Sequence, residues 1–110
     1  MIGHLHWPVM TAPTAIERRL AGVGAELSRL REDLRIADEE LAHFRAEADD
    51  ARLRAMVSED KSAPRADREA QRSLDAIGRQ RQHVLGELNR LERSQDQLLD
   101  ELSAARRAQS

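Results

Sequence analysis

The chain of 110 residues has no cysteine and no tyrosine, and only one phenylalanine and one tryptophan. Without cysteine there is no disulfide framework and no thiolate metal site. So few rings leave little of the bulky surface that fills a thick globular core. Long apolar runs are missing too, because no stretch approaches the ~18 consecutive apolar residues of a membrane-spanning helix. The segment from Met1 to Met10 lacks the cationic start, long apolar stretch and cleavage site of a secretory signal, so a cytoplasmic protein is expected. Charge of one sign is also lacking: 20 acidic residues balance 18 basic ones, for a net charge of −2. That balance supplies no bulk attraction to nucleic acid or to an anionic membrane. All the basic residues except Lys61 are arginine and alanine is abundant, a composition associated with GC-rich bacterial genomes.

What is present is a heptad pattern that runs twice and breaks once. Apolar residues recur at alternating spacings of four and three through Ile16, Leu20, Val23, Leu27, Leu30, Leu34, Ala37, Leu41, Phe44, Ala48, Ala51 and Ala55. A second series follows Pro64: Ala70, Leu74, Ile77, Arg81, Val84, Leu88, Leu91, Gln95, Leu98, Leu102 and Ala105. An apolar residue every 3.5 positions on average keeps one seam of a helix facing a partner helix. The alternating charges between those positions fit a solvated helix surface.

The boundaries follow from local chemistry. Residues 1–13 are aperiodic, hold Pro8 and Pro13, and are expected to be a flexible segment; Met10 offers an alternative start. Residues 14–110 are expected to form a helical hairpin. Thr14 and Glu17 match a capping box, which places helix one over about 15–57. Gly22 and Gly24 weaken its early turns by roughly 1 kcal/mol each relative to alanine. Residues 58–62 form the turn. Ser62 is a suitable N-cap, and Pro64 is tolerated only in a first helical turn, so helix two covers about 63–108. Two helices of similar length with a short connector predict an all-α antiparallel two-helix coiled-coil hairpin.

Pairing residues symmetrically about Ser62 and Ala63 produces layers such as Leu27–Leu98, Leu41–Val84 and Ala48–Ile77. Two layers hold a polar residue, Leu30–Gln95 and Phe44–Arg81; such residues cost stability and define register. Arg81 either lays its guanidinium on Phe44 or snorkels past the seam, and the second is favoured. On one flank Arg31 meets Glu92 and Glu17 meets Arg106; on the other Glu40 meets Glu87 and Glu26 meets Glu101. Helix two carries more apolar surface than one seam needs. Leu85 and Leu99 occupy the e positions beside Val84 and Leu98, and a stripe of a, d and e positions suits a helix in a bundle. The expectation is therefore self-association of two hairpins into a four-helix bundle, with Gly24 opposite Leu99 giving room for the contact.

Chemical signatures are sparse. His4, His6 and Trp7 form an H-x-H-W group that supplies two metal ligands without a third. His43 and His83 fall on outer c positions and are expected to face solvent. The acidic pairs Asp49–Asp50, Asp38–Glu39–Glu40 and Glu59–Asp60 read as solvated faces, since acid–base work needs a concave site that shifts a pKa. No phosphate-cradling loop or Ser–His–Asp set is present, so the chain reads as a non-enzyme without catalytic residues, cofactor or bound metal. Arg65, Arg72, Arg79, Arg93 and Arg107 share the f position of helix two as a basic ridge able to follow a phosphate backbone. Acidic neighbours and the lack of interleaved aromatics disfavour that use.

The turn is acidic, with Glu59 and Asp60 in it and Asp67 just beyond. Together with the segment Ala66-Asp67-Arg68-Glu69-Ala70, this hairpin tip resembles the coiled-coil fingers of the Gre and DksA transcription factors. The resemblance implies Glu59, Asp60 and Asp67 as tip contacts entering the secondary channel of RNA polymerase. It departs from DksA in having no cysteine for a zinc module and no first aspartate at matching spacing. The leading expectation is a coiled-coil interaction or scaffold protein that self-associates, as a dimer, and presents a rod surface or tip to a larger protein partner. A transcription modulator is the alternative, and nucleic-acid binding along the arginine ridge comes third.

Overall fold

The computed structural model describes the backbone of residues 2–109 and the side chains of residues 13–109. It contains two helices, α1 (Ile2–Val57) and α2 (Ala63–Gln109), with no strand among the described residues. The chain is an all-α helical hairpin. Every position of the two heptad series is buried or half-buried, Arg81 and Gln95 included, while the positions between them are mostly exposed. The 3.5-residue period thus translates directly into burial.

One expectation is revised at the start. α1 begins at Ile2, so Thr14 lies inside the helix and does not cap it. Pro8 and Pro13 each remove one backbone donor, but Met10, Ala12 and Ala15 are strong helix formers and the helix continues through this stretch. Glu17, the expected partner of the Thr14 cap, engages Arg106 across the hairpin, with Nη2 donating to Oε1 at 3.2 Å.

The hairpin divides into two compact units. The first combines residues 1–30 with residues 87–110. Its core is leucine: Leu27, Leu30, Leu88, Leu98 and Leu102 are all buried, with Leu27 only 1% exposed. Each fully buried leucine contributes about 1.5–3 kcal/mol of transfer free energy. Gln95 is half-buried beside them.

The second unit, Arg31–Gly86, contains the turn. Its core uses smaller residues: Ala37, Ala48 and Ala63 are buried with Val84, and Ala48 is fully enclosed. Two polar links cross from helix to helix here. The Gln71 side-chain amide donates to the Ala48 carbonyl at 3.3 Å and to Asp67 Oδ1 at 3.2 Å. Arg81 Nε donates to Asp38 Oδ1 at 2.6 Å. Arg81 therefore snorkels out of the seam to a carboxylate on its flank, and the Phe44 ring instead makes a T-shaped contact with His43, with centroids 5.4 Å apart at 74°.

The reversal is built by Asp60. Its backbone N–H donates to Ser58 Oγ, while its carboxylate accepts from both the Ser62 N–H (2.9 Å) and the Ser62 hydroxyl (2.8 Å). The Ser62 carbonyl accepts the first helical bond of α2 from Ala66 N–H, which makes Ser62 the N-cap. Pro64 then lies in the first turn, where its missing N–H costs nothing.

Candidate functional site

At the tip, the three carboxylates singled out by their place in the sequence are not equivalent. Asp60 is exposed, and its bonds from the Ser62 N–H and hydroxyl hold it below the usual carboxylate range. Hydrogen bonding to the ionised form favours that form. Asp67 is half-buried and accepts from Gln71. Glu59 is exposed and makes no ion pair among the described residues. Two of the three are thus engaged in holding the turn and the start of α2, and Glu59 is not.

The tip also carries a feature that the heptad reading passed over. Leu53, Met56 and Val57 are 58%, 76% and 74% exposed. By the register of the seam they occupy f, b and c positions, which face outward. Apolar residues at those three positions were the available signal; a search for seam positions alone overlooks them. Alongside the turn lies a groove of about 430 Å³, lined by Asp50, Ala51, Arg54, Ser58, Ala63 and Ala66 among others.

The expected self-association residues differ in exposure. Leu99 is 47% exposed although its neighbour Leu98 is 4% exposed; Leu85 is half-buried. A side-chain carbon built at Gly24 meets nothing within 4 Å, so the flank carrying it is open. The ridge arginines Arg65, Arg72, Arg79 and Arg93 are all exposed, and Arg65 is paired with Glu69 at 3.5 Å. Arg79 also borders a surface groove of about 720 Å³ with Leu41, Leu74, Gly78, Arg81 and Gln82.

The remaining charges are arranged mainly along single helices. Arg29 binds Glu26, and Arg35 binds both Glu32 and Glu39 at 2.5 Å. The hydrogen bonds from Arg29 and Arg35 lower the pKa values of Glu26 and Glu32, and Arg35 is raised in turn, chiefly by Glu32. His43 and His83 are exposed, and His43 Nε2 lies 3.1 Å from Glu47. No group of three or more potential metal ligands is assembled among the described residues. The H-x-H-W side chains, His4, His6 and Trp7, lie outside the described residues. No described helix is long and apolar enough to cross a membrane.

The fold and these surfaces define a class, the two-helix all-α hairpin with apolar side chains left outside its seam. No family model, curated protein or solved structure matches the chain.

Proposed function

We propose that this chain is a non-enzymatic helical interaction module that self-associates through the flank of α2 bearing Leu85 and Leu99. The observation that carries the reading is the contrast within one turn of helix: Leu98 is 4% exposed and Leu99 is 47% exposed. A single seam satisfies the first and leaves the second in water. Burying a leucine is worth about 1.5–3 kcal/mol when complete, and a two-fold symmetric contact makes each gain twice. Gly24 supports the same flank, since nothing lies within 4 Å of where its side chain would be. A neighbouring helix could approach there without displacing side-chain bulk. Many seam residues, including Leu20, Val23 and Leu91 in the first unit, are only half-buried, so a second hairpin would also complete their burial.

Sedimentation equilibrium at micromolar concentration tests this reading. The expected mass is that of two chains, twice 12.4 kDa. The double variant Leu85→Gln, Leu99→Gln should fall to one chain while keeping its helical circular dichroism. A wild-type mass of one chain refutes self-association. Loss of helicity together with assembly would assign the stripe to the hairpin's own core.

A further inference from the structure

We infer that Leu53, Met56 and Val57 form a second, separate docking face, whose occupant is a basic amphipathic helix of another protein. The three side chains stand at i, i+3 and i+4, so they make one continuous stripe on the outer surface of the last turns of α1. They are the three most exposed large apolar side chains described. Helix-to-helix packing is the natural use of such a stripe, through ridges set into grooves.

Charge and size select the occupant. Asp49 precedes the stripe on the same surface and Glu59 follows it in the turn; both are exposed, and neither forms an ion pair among the described residues. Of the other acids beside the stripe, Asp50 is paired with Arg54 at 3.1 Å and Asp60 is held by the Ser62 N–H and hydroxyl. The other nearby cations lie off the stripe: Arg52 and Arg54 fall to either side of it, and Lys61 is in the turn. The sequence of the face is thus acid, apolar, acid. Asp49 lies eight residues before the end of α1 at Val57, roughly 12 Å at 1.5 Å per residue, and Glu59 follows two residues into the turn. A helix with a leucine stripe and a lysine or arginine near each end of it complements that order. A second copy docked by the same face would bring Asp49 and Glu59 against acids of the same sign, which weighs against a contact between copies here. The same acids oppose an anionic lipid surface. The face differs from the Leu85–Leu99 flank, so the two proposals stand or fall separately.

The probe is a fluorescein-labelled, 18-residue helical peptide of leucine and lysine, titrated with the full chain and read by fluorescence anisotropy. Its counterparts replace lysine with glutamine or with glutamate. The leucine–lysine peptide should bind the wild type, and Leu53→Ser, Met56→Ser, Val57→Ser should weaken it by about tenfold or more. Asp49→Asn, Glu59→Gln should weaken it severalfold and flatten the loss of affinity as salt rises from about 0.05 to 0.5 M. The three apolar residues are exposed, so circular dichroism should stay at the wild-type level and separate lost binding from lost fold. Several results overturn the inference: equal binding of the triple variant, equal binding of the leucine–glutamate peptide, or capture by phosphatidylglycerol vesicles that the triple variant abolishes. A fall in sedimentation mass caused by the triple variant also overturns it, by making the stripe a contact between copies.

Discussion

Three glycines inside the helices make a quantitative test of the fold. Gly22, Gly78 and Gly86 lie well within α1 and α2, none has a positive φ, and a side-chain carbon built on each meets nothing within 4 Å. Neither backbone conformation nor close approach therefore requires glycine at these positions. A glycine in a helix interior costs about 0.5–1 kcal/mol relative to alanine, largely through the freedom of the unfolded chain. The sites are distant enough in sequence to act independently, so Gly22→Ala, Gly78→Ala, Gly86→Ala together should add about 1.5–3 kcal/mol. For a domain of this size each kcal/mol moves the midpoint by about 4–8 °C, which predicts a rise of roughly 6–24 °C. Urea and thermal unfolding followed by circular dichroism measure both quantities. An unchanged or lowered urea midpoint in the triple variant would refute the description of two uninterrupted helices with open flanks at these residues. Gly24 is the informative contrast. Its side-chain space is equally open within one chain, yet it belongs to the flank proposed for self-association. Gly24→Ala should stabilise the isolated hairpin and weaken the dimer, a split that sedimentation resolves.

Other outcomes follow from the core, the cross-helix pair and the turn. Leu27→Ala, which empties the most enclosed leucine site, should cost about 2–5 kcal/mol in urea unfolding, whereas the same change at exposed Leu53 should cost less than about 0.5 kcal/mol. Ala48→Leu places bulk where the structure has none to spare and should cost about 1–3 kcal/mol. A double-mutant cycle on Asp38 and Arg81, paired at 2.6 Å but with 51% and 32% of their side chains exposed, should give a coupling of only ~0–1 kcal/mol that shrinks with salt. The pKa values of Asp60, Glu26 and Glu32 are lowered from ordinary values of 3.8, 4.5 and 4.5. Folding binds these carboxylates more tightly in their ionised form. Their contribution is therefore complete above the unfolded values and is lost as pH falls through the lower folded values. Stability should decline below about pH 4, and Asp60→Asn should make the decline shallower; a decline of wild-type steepness in that variant would remove Asp60 from the account.

Several features were legible in the chain because they depend on neighbours a few residues away. The seam is one: a period of 3.5 places Ile16 to Ala55 and Ala70 to Ala105 on single helix faces whatever they later meet. The interruption is another, because Pro64 needs a first turn and Ser62 suits a cap. The start of α1 was less readable, since two prolines and a matching Thr14–Glu17 pair suggest a boundary that the helix passes through. At the candidate surfaces the heptad pattern marked Leu99 as surplus to the seam, but it passed over Leu53, Met56 and Val57, which lie outside the seam positions.

By itself, then, the sequence determined two helices, their seam faces and a turn near Ser62, because helical periodicity, capping and proline geometry are local. Only the tertiary structure decided how much of each seam position is covered, so that Leu27 is enclosed while Leu20 is not. It also decided that Arg81 answers to Asp38 and that Gln71 reaches the Ala48 carbonyl. Those outcomes depend on which atoms of the opposite helix lie within about 3 Å, a distance set by packing across the hairpin.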